Sequence, residues 1–162
     1  MHTPLFVVTY RKDIDQIPTE NEIWETVDRE GLGDYIQSNN ESGRLWDEES
    51  FHNIFKEIFP EAKFEADSIH VTLADIKKYF KSLKEKIRKI ADDLTWEDIA
   101  KRREYEIYEI NKVTGRYASP IIDTTCQYYT HMAFASSLYN EMLDRKTDNL
   151  TIKLIDIYDM HY

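Results

Sequence analysis

The sequence predicts an α+β fold, a small antiparallel sheet with helices packed on it, and three observations point there. Segments with apolar residues at helical spacing alternate along the chain with short β-branched and aromatic runs. Glycine and proline are scarce, four of each in 162 residues, which argues against a Gly-rich phosphate loop; Gly31-Leu32-Gly33 lacks the further glycines such a loop needs. Apolar residues make up 41% of the chain, enough for a core without disulfide or metal staples, because a chain this long buries about 70% of its unfolded surface. A single domain, 1–162, is expected, with an acidic N-terminal subdomain 1–70 and a C-terminal strand-turn-strand-helix-strand unit over 103–159.

The elements follow in order. PLFVVTYR (4–11) is β-branched and aromatic and reads as a strand before the turn-prone DIDQIP. Thr19-Glu20-Asn21-Glu22 is a capping box, so a helix should run to about Arg29 and stop at Gly31/Gly33. Asp34–Gln37 adds a turn of helix, and NNESG (39–43) is a loop. A second helix starts near Asp47–Ser50, carries Phe51, Ile54, Phe55, Ile58 and Phe59 at helical spacing, and ends at Pro60. A short strand ending in SIHV (68–71) comes next.

The clearest segment opens with Thr72 as cap and Asp75 three residues on. Leu73, Ile76, Phe80, Leu83, Ile87, Ile90 and Leu94 then recur at alternating intervals of three and four. This heptad-like stripe predicts one long helix over 73–94, about 33 Å at 1.5 Å per residue. Thr95-Trp96-Glu97-Asp98 is a further capping box and starts a helix to about Arg102.

In EYEIYEINKVTGRYASPII (104–122) the alternation of large apolar residues breaks once near Ile107–Tyr108. A bulged strand, a loop at 111–115 with Gly115 at positive φ, and a return strand over Arg116–Ile122 account for the aromatic and β-branched enrichment. A helix continuing from Trp96 explains Ile99, Ile107 and Ile110 but puts Arg103 on the apolar face, so the hairpin is preferred. From Asp123/Thr124 a helix should reach about Arg145. LTIKLIDIYD (150–159) is the last strand, with Leu150, Ile152 and Leu154 on one face.

Charge is distributed unevenly. Residues 1–70 hold 16 acids against 6 Lys and Arg, whereas residues 71–162 hold 15 of each, so the whole net charge of −10 sits in the first part. Lys77, Lys78, Lys81, Lys84 and Arg88 form a basic face on the long helix, off its apolar stripe. Nucleic-acid binding ordinarily needs a basic domain, and a pI near 5 disfavours it. Asp47, Glu48 and Glu49, flanked by Trp46 and Phe51, are the candidate partner-binding cluster, with the aromatic residues as apolar anchors.

Catalytic chemistry finds no motif. Cys126 and His131, five apart on the expected helix, would point about 140° apart and should not meet; Cys126 reads as a buried, inert thiol. His52, His70 and His131 lack His or Cys partners at zinc-ligand spacing, and His2 and His161 sit near the chain ends. Asp13/Asp15 and Asp92/Asp93 are ordinary acidic-surface pairs. Neither metal nor cofactor is expected. Eight of the eleven tyrosines lie after residue 104, which suits a docking surface better than a pocket.

The lone cysteine, the absence of a leader-like segment and the absence of an apolar run near 20 residues predict a soluble cytoplasmic protein without a membrane segment. The functional expectation is a non-enzymatic protein that binds a macromolecule, a protein with a basic surface, through its acidic region. In size and acidity the chain is similar to small phage and mobile-element proteins that inhibit restriction or CRISPR nucleases, a likeness of character without a shared motif. The alternative is a structural component that self-associates through the 73–94 stripe. A small hydrolase or metal-assisted enzyme comes third.

Overall fold

The computed structural model describes residues 2–11, 16–39, 46–97 and 104–161. The acids Asp13 and Asp15, most of the 39–43 loop, the basic run 101–103 and the part of the expected helix beyond Glu97 lie outside them.

Seven strands form one sheet: β1 (His2–Thr9), β2 (Tyr35–Ser38), β3 (Lys63–Glu65), β4 (Ser68–Thr72), β5 (Ile121–Asp123), β6 (Tyr128–Tyr129) and β7 (Asn149–His161). The described helices are α1 (Glu20–Glu30), α2 (Glu48–Ile58), α3 (Leu73–Asp93), α4 (Glu104–Val113) and α5 (His131–Arg145). The α+β class and the long helix stand as the sequence predicts. The sheet, however, is mixed, because β1 and β5 run parallel while the other pairs are antiparallel.

Strand order is β3-β4-β7-β1-β5-β6. The 13-residue β7 is the spine: β1 lines one edge along its length, and β4 and then β2 line the other. Leu5–Val8 is buried on both faces, which is why that run is continuously apolar rather than alternating. In β7 the register against β1 slips between Val7 and Val8, leaving Ile155 as the extra residue. This bulge explains why Leu150, Ile152 and Leu154 keep one parity and Ile157 changes it while joining the same core.

Two cores result. On one face α2, α3 and α5 cover Phe6, Val8, Ile69, Val71 and Ile152, with Phe51 and Phe55 rings 4.6 Å apart and Phe55 meeting Phe134 at 5.7 Å. On the other, α1 packs Ile23 and Val27 against Leu5, Val7, Ile122, Tyr158 and Met160. The predicted caps of α1 and α3 are present: Thr19 with Glu22 and Thr72 with Asp75 form capping boxes, and Gly31 takes the left-handed conformation at φ 62°. On α3, Ile76 and Leu83 are buried, whereas Phe80 and Ile87 are half-buried.

Three expectations are corrected. Asp34–Gln37 is not helical: Tyr35–Ser38 pairs as β2 with Tyr158–His161 of β7, and Gly33 lies so close that a Cβ there would stand 2.5 Å from the His161 carbonyl oxygen. Residues 104–113 are helix, not the first strand of a hairpin. Ile110 and Val113, three apart, are half-buried and α4 packs along α3, so tertiary contact overrides the local β preference. Gly115 does take positive φ, 79°, but the chain turns there and runs on to β5. Finally, the helix expected from Asp123 begins at His131. Asp123 closes a turn by accepting the Thr125 and Gln127 amides, Cys126 adopts φ 58°, and Tyr128–Tyr129 return as β6 beside Ile121–Ile122.

Candidate functional site

The acidity of the first part divides between the two faces of the sheet. On the α1 side Glu20, Glu22, Glu25, Asp28 and Glu30 are all exposed, and the one cation of that helix, Arg29, bonds its neighbour Glu30 at 3.3 Å. Glu22 is committed to the cap: it accepts from the Thr19 amide at 2.7 Å, and that bond holds its carboxyl below the usual range. Glu25 and Asp28 make no ion pair among the described residues. The sequence pointed to the other acidic helix; tallying exposed acids helix by helix would have found this one.

On the opposite face the α2 entrance carries Asp47, Glu48 and Glu49, all exposed. Asp47 is the N-cap, its carboxylate accepting the Ser50 amide at 2.9 Å, which holds its carboxyl low. Trp46 lies beside them and is fixed twice over. Asn39 clasps its backbone, accepting the Trp46 amide at 3.0 Å and donating to its carbonyl at 2.6 Å, while the indole N–H donates to Asp159 at 3.1 Å. Phe51 is fully buried against Phe6 and Phe55 and has no surface to offer a partner, whereas Trp46 beside these acids is half-buried.

Lys77, Lys78, Lys81, Lys84 and Arg88 are exposed along α3. Two are paired, Lys78 with Glu61 and Arg88 with Asp92, the latter at 3.5 Å. Among the described residues, Lys78–Glu61 is the one ion pair joining α3 to the acidic first part. The basic helix therefore leaves most of that acidity unneutralised, and α1 sits across the sheet from it.

Besides Asp75 in the α3 cap, two buried carboxylates sit at opposite ends of the sheet. Asp159, 1% exposed, accepts from the Trp46 indole and bonds His2 at 2.8 Å, while the His2 and His161 rings meet edge to face at 5.0 Å. The sequence left these histidines apart near the chain ends; the β1–β7 register makes them neighbours. At the other end Asp123, also 1% exposed, accepts from Thr125, Gln127 and the Tyr129 hydroxyl, and Tyr129 leads to Tyr10 and Ser137. Held by these donors, both carboxylates tie distant segments of the chain together.

The reactive groups are quiet. Cys126 is half-buried in the β5–β6 turn, where burial and then the Glu22 and Asp123 charges push its thiol up, against thiolate formation. His131 is buried under Gly115, whose missing side chain leaves room for it, and burial depresses the imidazole to about 4. Burial lifts the Tyr79 hydroxyl to about 12. Among the described residues no group of His, Cys, Asp and Glu is arranged to hold a metal, and no helix is long and apolar enough to cross a membrane. Comparison with protein-family models, with curated proteins and with solved structures found no match.

Proposed function

We propose that this protein is a non-enzymatic binding protein that docks the basic surface of another macromolecule through exposed acids of its first part. One observation carries the reading: those acids face solvent on both sides of the sheet, and among the described residues a single ion pair links them to the cationic helix. The α1 face, with Glu25 and Asp28 at its centre, supplies the wider field. The α2 entrance, with Glu48, Glu49 and the fixed Trp46 ring, supplies a smaller one with an aromatic contact. Such surfaces occupy basic channels, and a nucleic-acid-handling enzyme of the restriction or CRISPR nuclease type in a cytoplasmic setting is the partner this chemistry fits. Direct contact with a nucleic acid is disfavoured by like charge.

The test is capture from lysate at low salt, release by salt, identification of the released protein, and measurement of its association rate at several ionic strengths. A rate that falls steeply with salt supports the reading; a salt-independent rate overturns it. A second reading rests on the distal half of α3, where Ile87, Ile90 and Leu94 are only half-buried: self-association along that stripe, tested by the mass in solution.

A further inference from the structure

We propose that the groove at the C-terminal end of β1 binds a small phosphorylated molecule. The strand pattern builds it. Thr9 pairs directly with Lys153 and Thr151 precedes Lys153 by two, so alternation sends these three to one face of the sheet, and Arg11 follows just past the end of β1. The end of α5, from the other face of the sheet, adds Arg145 and Thr147 beyond the end of β1, and together these residues line a groove of about 480 Å³. That volume lies within the usual range for small-ligand sites.

Among the described residues its lining holds three cations, three threonines and no carboxylate, with Asp123 and Glu141 beyond the lining as partners of Arg11 and Arg145. Each cation keeps donors to spare. Arg11 stands 3.7 Å from Asp123, a long pair, and Asp123 is already satisfied by the Thr125, Gln127 and Tyr129 donors. Arg145 is held by one oxygen of Glu141 through Nε and Nη2, both at 2.6 Å, which fixes the guanidinium and leaves its remaining N–H groups. Lys153 is exposed and makes no ion pair among the described residues. The negative end of α5 is nearby, but the Lys146 and Thr147 amides engage its Leu143 and Met142 carbonyls.

Planar guanidinium forks with an ammonium match the tetrahedral, multiply charged oxygens of phosphate, while the Thr147 and Thr151 hydroxyls are engaged by Asn149 and His70. A small ligand is favoured over a nucleic acid because the net charge of −10 repels a polyanion along its whole length.

Isothermal titration with inorganic pyrophosphate at low ionic strength tests the site, with a single-stranded oligonucleotide as the second titrant. Saturable binding of one equivalent is expected, weakened about tenfold by Lys153→Ala and by Arg11→Ala and unchanged by Lys84→Ala on α3. Absence of saturable heat at millimolar pyrophosphate overturns the proposal, as does equal weakening by Lys84→Ala, which would mark diffuse attraction. Tighter binding of the oligonucleotide at the same residues overturns the choice of a small ligand. Should Arg11→Ala unfold, the exposed Lys153→Ala carries the test, with thermal unfolding as the check on its fold. The acidic faces take no part in this experiment, so its outcome is independent of the docking reading.

Discussion

α1 and α2 are near twins in sequence terms and opposites in role. Each is 11 residues long, each opens with a capping box, and each is acidic in its first turn. Yet α2 buries Phe51, Phe55 and Ile58 in the larger core, whereas α1 buries Ile23, Thr26 and Val27 in the smaller one. Their charges differ in placement too. Asp47, Glu48 and Glu49 cluster at the α2 N-terminus, where the helix dipole offsets negative charge. On α1 the acids continue through Asp28 to Glu30 at the C-terminus, where the dipole adds to them. Acidity counted along the chain therefore overstates α2 and understates α1 as a source of outward field.

The largest expected effect separates the helices by stability. Phe55→Ala should cost about 3–5 kcal/mol and Val27→Ala about 2 kcal/mol in denaturant unfolding. Equal losses would mean that α1 is as deeply structural as α2. Next come the caps: Thr19→Ala should cost about 1 kcal/mol, and Asp47→Ala should lower the unfolding midpoint in the same direction.

The pH dependence of those caps is smaller and has a definite sign. Backbone amide bonds hold the Glu22 and Asp47 carboxyls below their ordinary values. A carboxyl depressed in the folded state contributes stability above its unfolded pKa and loses it as pH falls through the folded one. Unfolding midpoints should therefore decline below about pH 4, and less so in the Thr19→Ala and Asp47→Ala variants. An unchanged acid limb in both variants would remove the caps from that account.

Local signals were legible in the sequence. The capping boxes at Thr19 and Thr72 marked helix starts because their bonds span only three residues. Phe51 was expected to anchor a partner, yet it heads the helical stripe continued by Phe55 and Ile58 and is fully buried, because that periodicity outranks its nearness to the acids. What the sequence hid depends on distant partners. Residues 104–113 carry strand-like side chains, and only packing beside α3 makes them helical. Tyr35–Ser38 becomes a strand because the end of β7 offers it an edge. The His2–Asp159–Trp46 joint joins residues more than a hundred positions apart, so no local spacing announces it.

Among the candidate sites, Asp47 was visible as an acid but not as a cap, and replacing it mixes stability with binding. Glu48→Gln with Glu49→Gln is the cleaner probe of the α2 entrance. For its aromatic contact, Trp46→Phe keeps a ring while removing the indole N–H that reaches buried Asp159. A faster dissociation in Trp46→Phe, with the fold retained, would assign the ring a place in the interface. An unchanged dissociation rate would leave it a structural joint.

The most direct measurement compares association rates of the salt-released partner with two neutralised variants. One is Glu25→Gln/Asp28→Asn/Glu30→Gln on α1, and the other is Glu48→Gln/Glu49→Gln on α2. Exposed charges mainly steer encounter, and each contributes about 0.2–1 kcal/mol, so grouped replacement is needed to see the effect. The α1 variant should associate more slowly than the α2 variant and show the flatter salt slope, with dissociation little changed. Association and salt slope equal to the unmodified protein's in both variants would contradict acidic docking altogether.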